Sequence, residues 1–480
     1  MATSVENQDI PDSRSASSLK WALASLSLSL LLSSLGTSIA NVALPTLAQA
    51  FGASFQQVQW IVLAYLLAIT TLIVTVGRLG DIFGRRRLML AGISLFTLAS
   101  MACGAAPGIV MLIAGRAAQG LGAAIMMALS LAFVSEAIPK ERTGRAMGLL
   151  GTLSAIGTAL GASLGGVLIA TLGWRSIFFI NLPLGLIALL LAWRFLPVGV
   201  LAPKLGRTRF DYFGTLLLAM SLAAFALAMT LGRGNFGSFN LALLAAAAIG
   251  TGLFVLVETN AASPLVPLGM FRNPVFGAGF AMSALVTTVV MATLVVGPFY
   301  LSGALALDAA DVGMVMSVGP IVAALTGVPA GRIVDGIGTH RTTLAGLTGM
   351  MVGCALLPTL PTQWGVLAYL IPIAILTSGY AVFQAANNTA VMTNSPIGER
   401  GIISGLLNLS RNLGLLTGAS AMGAVFAFAI ESADVGSNAA NKVAHGMQLT
   451  FMVATLLVVV AIVIAFASQA VAPIAERGHD

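Results

Sequence analysis

The eleven residues GRLGDIFGRRR (77–87) carry five charges in a chain whose charged fraction is only 8%, and they occur twice. GRIVDGIGTHR (331–341) repeats them, so that Gly77, Arg78, Asp81, Gly84 and Arg87 recur as Gly331, Arg332, Asp335, Gly338 and Arg341. A second pair, GLLGTLSAIGTALGAS from Gly148 and GLLNLSRNLGLLTGAS from Gly405, repeats at nearly the same displacement. Two pairs in agreement mark an internal duplication. Taken alone, the first stretch reads as a polar loop that fixes orientation. Orientation explains the arginines but not the Asp and the glycines that both copies keep.

At 480 residues, 58% hydrophobic, with a mean hydropathy of +0.99, the chain is too apolar to present a water-soluble surface. Apolar runs of roughly twenty residues, enough to cross a hydrocarbon layer of ~30 Å as helix, recur along it. Broken at charges, Pro and Gly clusters, they predict an all-α membrane protein of about fourteen transmembrane helices. These fall near 20–44, 58–77, 88–106, 109–134, 144–170, 177–196, 212–231, 240–258, 275–301, 310–334, 342–360, 364–392, 401–431 and 448–472. The duplication divides them into an N-terminal six-helix bundle (20–200), two inserted linker helices (201–272) and a C-terminal six-helix bundle (273–472). Residues 1–19 and 473–480 read as cytosolic tails, the first polar, disordered and without the features of a signal peptide.

An even helix count puts both termini on one side. Of the 23 Lys and Arg, only Arg175, Arg233 and Lys442 then fall in loops on the other side, and Arg116 and Arg411 fall inside spans. The remaining 18 flank the termini side, which the bias of short loops assigns to the cytosol. The same dispersal argues against nucleic acid as a partner, since no continuous basic domain forms. Cys103 and Cys354 both lie in apolar runs and offer no disulfide framework, and His340, His445 and His479 are scattered over loops and tail, so no metal site is expected. The phosphate-binding pattern GxxxxGK[ST] does not occur, which leaves an ATP-driven motor without a seat in this chain.

These stretches resemble the major facilitator superfamily, and specifically its fourteen-helix drug:proton antiporter branch of multidrug efflux type. GRLGDIFGRRR is similar to the superfamily's loop signature and RAAQGLG, from Arg116, to its arginine motif in the fourth span. NVALPTL from Asn41, WRSIFFINLPLG from Trp174, RFDYFG from Arg209 and SGLLNLSRNLG from Ser404 resemble further motifs of the branch. The resemblance implies the major facilitator fold, with two halves rocking around a central site, no cofactor, and the proton gradient as energy source. It implies the lipid bilayer of the plasma or inner membrane and a small amphipathic substrate as partners, with no obligate protein partner. Two departures stand out: Gly36 occupies the place where the branch usually has an intramembrane Asp, and in GTALGASLGG (157–166) Ala162 replaces a usual Pro.

Ionisable and amide groups inside spans are costly and mark candidate sites. The substrate-cavity or proton-relay candidates are Arg116 with Gln119 one turn on, Asn41 one turn before Pro45, Tyr65, and Asn408, Arg411 and Asn412 at helical spacing. Arg116 has an alternative reading as a bundle lock bonded to carbonyls, and the Arg411 group as a polar packing seam. Gln384, Asn387 and Asn388 read as packing or gating amides, Trp60 as a ligand stack or an interface anchor, and Met126 and Met127 as lining or core. No carboxylate lies at mid-span, so Asp311, with Asp308 behind it, is the reserve candidate for proton coupling. Gly157, Gly161, Gly165 and Gly166 form a small-residue stripe for close helix packing.

The repeated stretch is expected to act as a conformational latch: Gly77, Asp81, Gly84, Arg85, Arg86 and Arg87 in one copy, Gly331, Asp335 and Arg341 in the other. Its glycines allow helix ends to approach, and Asp81 can meet an arginine or a helix N-terminus between the halves. The leading functional expectation is a secondary exporter of drugs, antibiotics or secondary metabolites acting as a proton antiporter. The alternatives are a proton-independent facilitator or proton symporter of a metabolite, or a membrane sensor without turnover; an enzyme is not expected. Two arginines and no mid-span acid favour neutral or anionic cargo over permanent cations. Asp81→Asn is expected to impair transport while leaving the amount inserted unchanged; transport at the wild-type rate per inserted molecule would remove the latch.

Overall fold

A computed structural model describes residues 13–73, 75–137, 140–196, 211–231, 237–261, 266, 268–360, 362–395, 400–433 and 438–476. The N-terminal bundle consists of α1 (Ser13–Phe51), α2 (Phe55–Leu72), α3 (Val76–Phe83), α4 (Arg85–Gly104), α5 (Ile109–Ala137), α6 (Lys140–Leu172), α7 (Ser176–Phe179) and α8 (Asn181–Phe195). A pair, α9 (Tyr212–Thr230) and α10 (Ser238–Asn260), follows. The C-terminal bundle is α11 (Pro274–Gly303), α12 (Ala309–Ile337), α13 (Thr339–Leu356), α14 (Val366–Thr393), α15 (Arg400–Thr417), a π-helical segment Gly418–Met422, α16 (Gly423–Ser432) and α17 (Ala439–Glu476).

Twelve helices among the described residues are long and apolar enough to cross a membrane, against the expected count of about fourteen. For α6 the described apolar part is Ile156–Leu172, so this helix falls outside that count. In α13, His340, Arg341 and four threonines dilute an eighteen-residue helix.

The duplicated stretch is not the loop it resembles in sequence. Val76–Phe83 is helical, Arg85 opens the next helix, and the whole reversal falls on Gly84 at φ +88° and ψ 123°. The second copy does the same at Gly338, with φ +84° and ψ 163°. Any Cβ is strained in that region, which is why the turn needs glycine in both copies. The second repeat is equally visible. A Cβ on Gly157 would lie 2.7 Å from the Leu31 carbonyl and one on Gly161 2.8 Å from Ser38 Cβ, so α6 presses its glycines onto the backbone of α1. Their counterparts Gly414 and Gly418 press α15 onto α11 at Ala284 and Thr288 in the same way. Pro45 in α1 and Pro298 in α11 stand equally far beyond these crossings.

The end of the molecule at which α1 begins is here called proximal. At the distal end the bundles meet. Phe55 of α2 packs against Phe299 of α11 and Phe426 of α16, with ring centroids 4.8 and 5.2 Å apart. Gln59, only 1% exposed, donates to the Ala419 carbonyl within the π segment, and the missing side chain of Gly423 makes room for its amide. α6 and α12 cross backbone to backbone, where a Cβ on Gly313 would lie 2.8 Å from Gly166 Cα, and Ser317 donates to the Ala159 carbonyl at 3.2 Å. At the proximal end Gly77, Gly331 and Gly336 have nothing within 4 Å of a Cβ position, and Arg332, Asp335 and Arg341 are exposed. These hydrogen bonds and ring contacts between the two bundles lie in the distal half. α9 leans on α2, where Trp60 Nε1 donates to Thr230 Oγ1 at 3.1 Å, and also touches the π segment. The outer faces of α9 and α10 display Phe213, Leu216, Met220, Leu241 and Ile249, as lipid contact requires.

Gly313→Val sets a side chain against main chain, which cannot move aside as a rotamer can. With Cys103 and Cys354 replaced by Ser, a Cys at the buried Phe426 is expected to react several-fold faster with a maleimide in the Gly313→Val background. An unchanged rate would show that the crossing does not hold the distal end shut.

Candidate functional site

Arg116 enters from α5 and is fully buried inside the N-terminal bundle. Its Nε donates to the Ile61 carbonyl at 3.0 Å, and its Nη1 to the Gly36 carbonyl at 3.1 Å and to Gln119 Oε1 at 2.5 Å. The guanidinium lies 4.2 Å from the Tyr65 ring centroid, a cation–π contact. Gln119 passes the network on to Ser100 Oγ at 2.6 Å, and Tyr65 donates to the Ser33 carbonyl at 2.9 Å. One side chain thus ties α1, α2, α4 and α5 together. Every acceptor it uses is neutral, and Nη2 has no hydrogen-bond partner among the described residues. Carbonyls already bonded within a helix can serve because each keeps a second lone pair.

Gly36 explains the missing acid. A Cβ there would stand 3.2 Å from the Phe96 ring and 3.8 Å from the Tyr65 hydroxyl, so the ring has taken the space that a carboxylate would need. The network is also a feature of one half alone. Gly122 packs on the Gly92 carbonyl as Gly379 packs on the Gly346 carbonyl, and counting back six residues from each sets Arg116 against Ile373. Gln119 likewise matches Leu376. The scaffold is built a second time without the arginine.

Asn41 is fully buried in α1, and neither its Oδ1 nor its Nδ2 has a partner among the described residues. Pro45 brings no N–H to the Asn41 carbonyl, so three polar groups at one residue lack the bonds a helix interior normally supplies. On the helical wheel Asn41 continues the face of Ser34 and Thr37, which are half-buried below it. Ser34 meets Ser154 of α6 at 2.6 Å.

In the C-terminal bundle, Ser404, Asn408, Arg411 and Leu415 form a half-buried stripe on α15. In the amide orientation that satisfies both groups, Gln384 Oε1 accepts from Arg411 Nη1 at 3.0 Å and Nη2 at 3.1 Å, while its Nε2 donates to Tyr380 Oη at 2.6 Å. Tyr380, Gln384 and Asn388 are half-buried one turn apart on α14, facing this stripe. The other amides serve backbone: Asn387 donates to the Gly279 carbonyl at 3.1 Å, Asn408 to Ser404 at 3.1 Å and Asn412 to Asn408 at 2.8 Å.

Asp308 caps α12 by accepting from the Asp311 N–H at 2.8 Å, and both acids are exposed at the distal end. In the latch stretch, Arg86 donates to the Trp193 carbonyl within its own bundle, and the side chain of Asp81 lies outside the described residues. Arg116, Gln119 and Tyr65 therefore share one closed network, Arg411 belongs to a separate open one, and Asp308 and Asp311 join neither. Sequence reading passed over Gln59, Ser100 and Tyr380. Gln59 was detectable as an amide in an apolar run. Glu258, buried near the end of α10, accepts from the Val266 N–H at 3.1 Å, beside Asp211, which caps α9.

The family model described as "Major Facilitator Superfamily" matches residues 26–419. Multidrug resistance protein Stp of Mycobacterium tuberculosis is 33% identical over 81% of this chain and 72% of its own length. Riboflavin transporter RibZ of Clostridioides difficile is 32% identical over 85% of this chain and 88% of its own. Drug efflux pump JefA of Mycobacterium tuberculosis is 32% identical over 81% and 77%. Among solved structures, a D-xylose-proton symporter superposes with a TM-score of 0.68 over 93% of this chain and 97% of its own at 16% identity. A bacterial homologue of the human lysosomal transporter Spinster gives 0.67 over 94% and 97% at 15% identity, likenesses of fold alone. Matched over most of its length in both sequence and fold, the chain belongs to the Major Facilitator Superfamily and is a multi-pass membrane transporter.

Proposed function

We propose that this transporter exports small amphipathic compounds by alternating access, as a proton antiporter, from the cytosol across the cell membrane. The observation that carries the reading is the geometry of the two ends. A hydrogen bond and ring contacts hold the bundles together at the distal end, the Gly77, Gly331 and Gly336 positions at the proximal end stand open, and the charge bias of the loops favours the cytosol for that end. That is the state in which an exporter loads. Relatives named as multidrug resistance and drug efflux proteins support the direction. Rocking about the α6–α12 crossing, with the Gly84 and Gly338 turns closing the proximal end, completes the cycle. Arg116 holds the four helices of the N-terminal bundle as one body during that motion.

Gly36 favours a second reading, a facilitator or proton symporter of a metabolite, because no carboxylate stands in the Arg116 network. The similarity to a riboflavin transporter agrees with metabolite cargo.

Inverted membrane vesicles with an inside-acid gradient separate the two readings. Antiport requires that added neutral or anionic amphiphiles evoke proton release, and Arg116→Ala, which removes the tie that holds the N-terminal bundle as one body, is expected to abolish it. Arg116→Lys, which keeps the charge and loses the forked contacts, is expected to retain a small fraction. Substrate flux independent of the gradient, with no proton release, would establish the facilitator.

Asn41 supplies a second test. A buried polar group without a partner costs about 1–3 kcal/mol, so Asn41→Leu is expected to raise the thermal midpoint of the purified protein while slowing transport. A lowered midpoint would mean that the amide is satisfied in the resting state and holds packing together.

A further inference from the structure

Both bundles carry an intramembrane arginine, and the structure separates their roles. Arg116 has four neutral partners around it and no exposed surface. Arg411 is half-buried, about 16 Å along α15 from its proximal start. One amide oxygen satisfies a single edge of its fork. Intramembrane arginines face the bundle interior or a water-filled cavity; unlike Arg116, Arg411 is only half-buried, which turns the stripe of Ser404, Asn408, Arg411 and Leu415 toward the space between the bundles. Thr287 of α11 bonds the Arg411 backbone carbonyl at 3.2 Å, which fixes the height of the residue within the C-terminal bundle. The duplicated scaffold again shows that packing does not demand the charge, because the counterpart of Arg411 is Ser154 and that of Asn408 is Gly151.

We propose that Arg411, held in place by Gln384 and Tyr380, docks an anionic group of the cargo, a carboxylate or an ionised phenol or enol, and so selects anionic amphiphiles. This rests on the reading of the protein as a transporter. Arg411 offers the free edge of its fork to a planar anion, the Tyr380 hydroxyl, which accepts from Gln384, has its own O–H left to donate beside it, and among the described residues no acid stands in the cluster to compete.

The docking also gives the cycle a condition. With the proximal end open, water solvates Arg411. Closing that end over an empty site would strip the guanidinium of solvent with only a neutral amide as partner, which is costly. An anion in the site removes that cost. The loaded carrier closes more readily than the empty one, and a permanent cation adds to the penalty instead of relieving it.

Three probes on one skeleton test this with the purified full chain: 2-naphthylacetate, 2-naphthylacetamide and (2-naphthylmethyl)trimethylammonium. The carboxylate is expected to bind roughly 10- to 100-fold more tightly than the amide, and the cation least of all. Arg411→Gln should bring the carboxylate down to the affinity of the amide and leave the amide unchanged, while Arg411→Lys restores part of the difference. An equal loss for both ligands in Arg411→Gln, the cation binding best, or no binding of the carboxylate at millimolar concentration each overturns the proposal. If Arg411→Gln does not accumulate, the ranking of the three probes on the wild type and on Arg411→Lys decides. Flux of the same probes into proteoliposomes keeps the two readings apart. Charge-selective binding without flux of any probe removes the transport reading and leaves the anion site, and flux without charge selectivity does the reverse.

Discussion

Where α6 crosses α12, no side chain separates the two main chains: Gly166 and Gly313 meet directly, and a Cβ on either would overlap backbone. In a bilayer there is little hydrophobic force to press helices together, so close packing of small residues has to supply the contact. The crossing joins the two halves of the duplication without threading one side chain through another. Two smooth backbones can roll on each other with few bonds to break. The other distal contacts, the Phe55, Phe299 and Phe426 rings and the amide of Gln59, sit on the far side of α2 and behave as a clasp beside the pivot.

The duplication carried most of the architecture into view. Pairing Gly77–Arg87 with Gly331–Arg341 and Gly148 with Gly405 is a statement about backbone, and backbone is what the structure reproduces. Gly84 and Gly338 make the same turn, and Gly157 and Gly414 the same crossing. Hydropathy was a coarser guide. It read the charged stretch as a loop because charge and glycine usually mark loops, whereas a helix leaving the bilayer can carry Arg78 and Asp81 without breaking. It could not show the π segment at Gly418–Met422 either, because its extra residue per turn serves a neighbour in space, Gln59, 360 positions away.

The candidate site was legible as residue types and illegible as partners. Arg116 and Gln119 were visible as polar residues one turn apart, but their environment comes from carbonyls of Gly36 and Ile61, groups that every sequence has everywhere. Tyr65 was a fair candidate for a ligand stack until the arginine claimed its face. Trp60 is held by Thr230 of the inserted pair. The chemistry of the two halves differs where their backbones agree: Arg116 against Ile373, Arg411 against Ser154. A symmetric frame with asymmetric polar groups is what a site grafted onto a duplicated fold looks like.

That asymmetry bears on energy coupling. A guanidinium stays charged at any physiological pH, so Arg116 cannot itself pick up and release a proton. In a network whose other members are a phenol, an amide, a hydroxyl and backbone carbonyls, nothing titrates near neutrality. Proton antiport through this chain therefore needs an acid outside the Arg116 network. Asp308 and Asp311 are exposed at the distal end and make no bond to the Arg116 network. An ionisable group on the cargo does not replace that acid, because a proton bound to the cargo moves with it and gives symport. The docking proposed for Arg411 distinguishes the ionised from the neutral form of a cargo by charge, which sets selectivity and leaves coupling to another group.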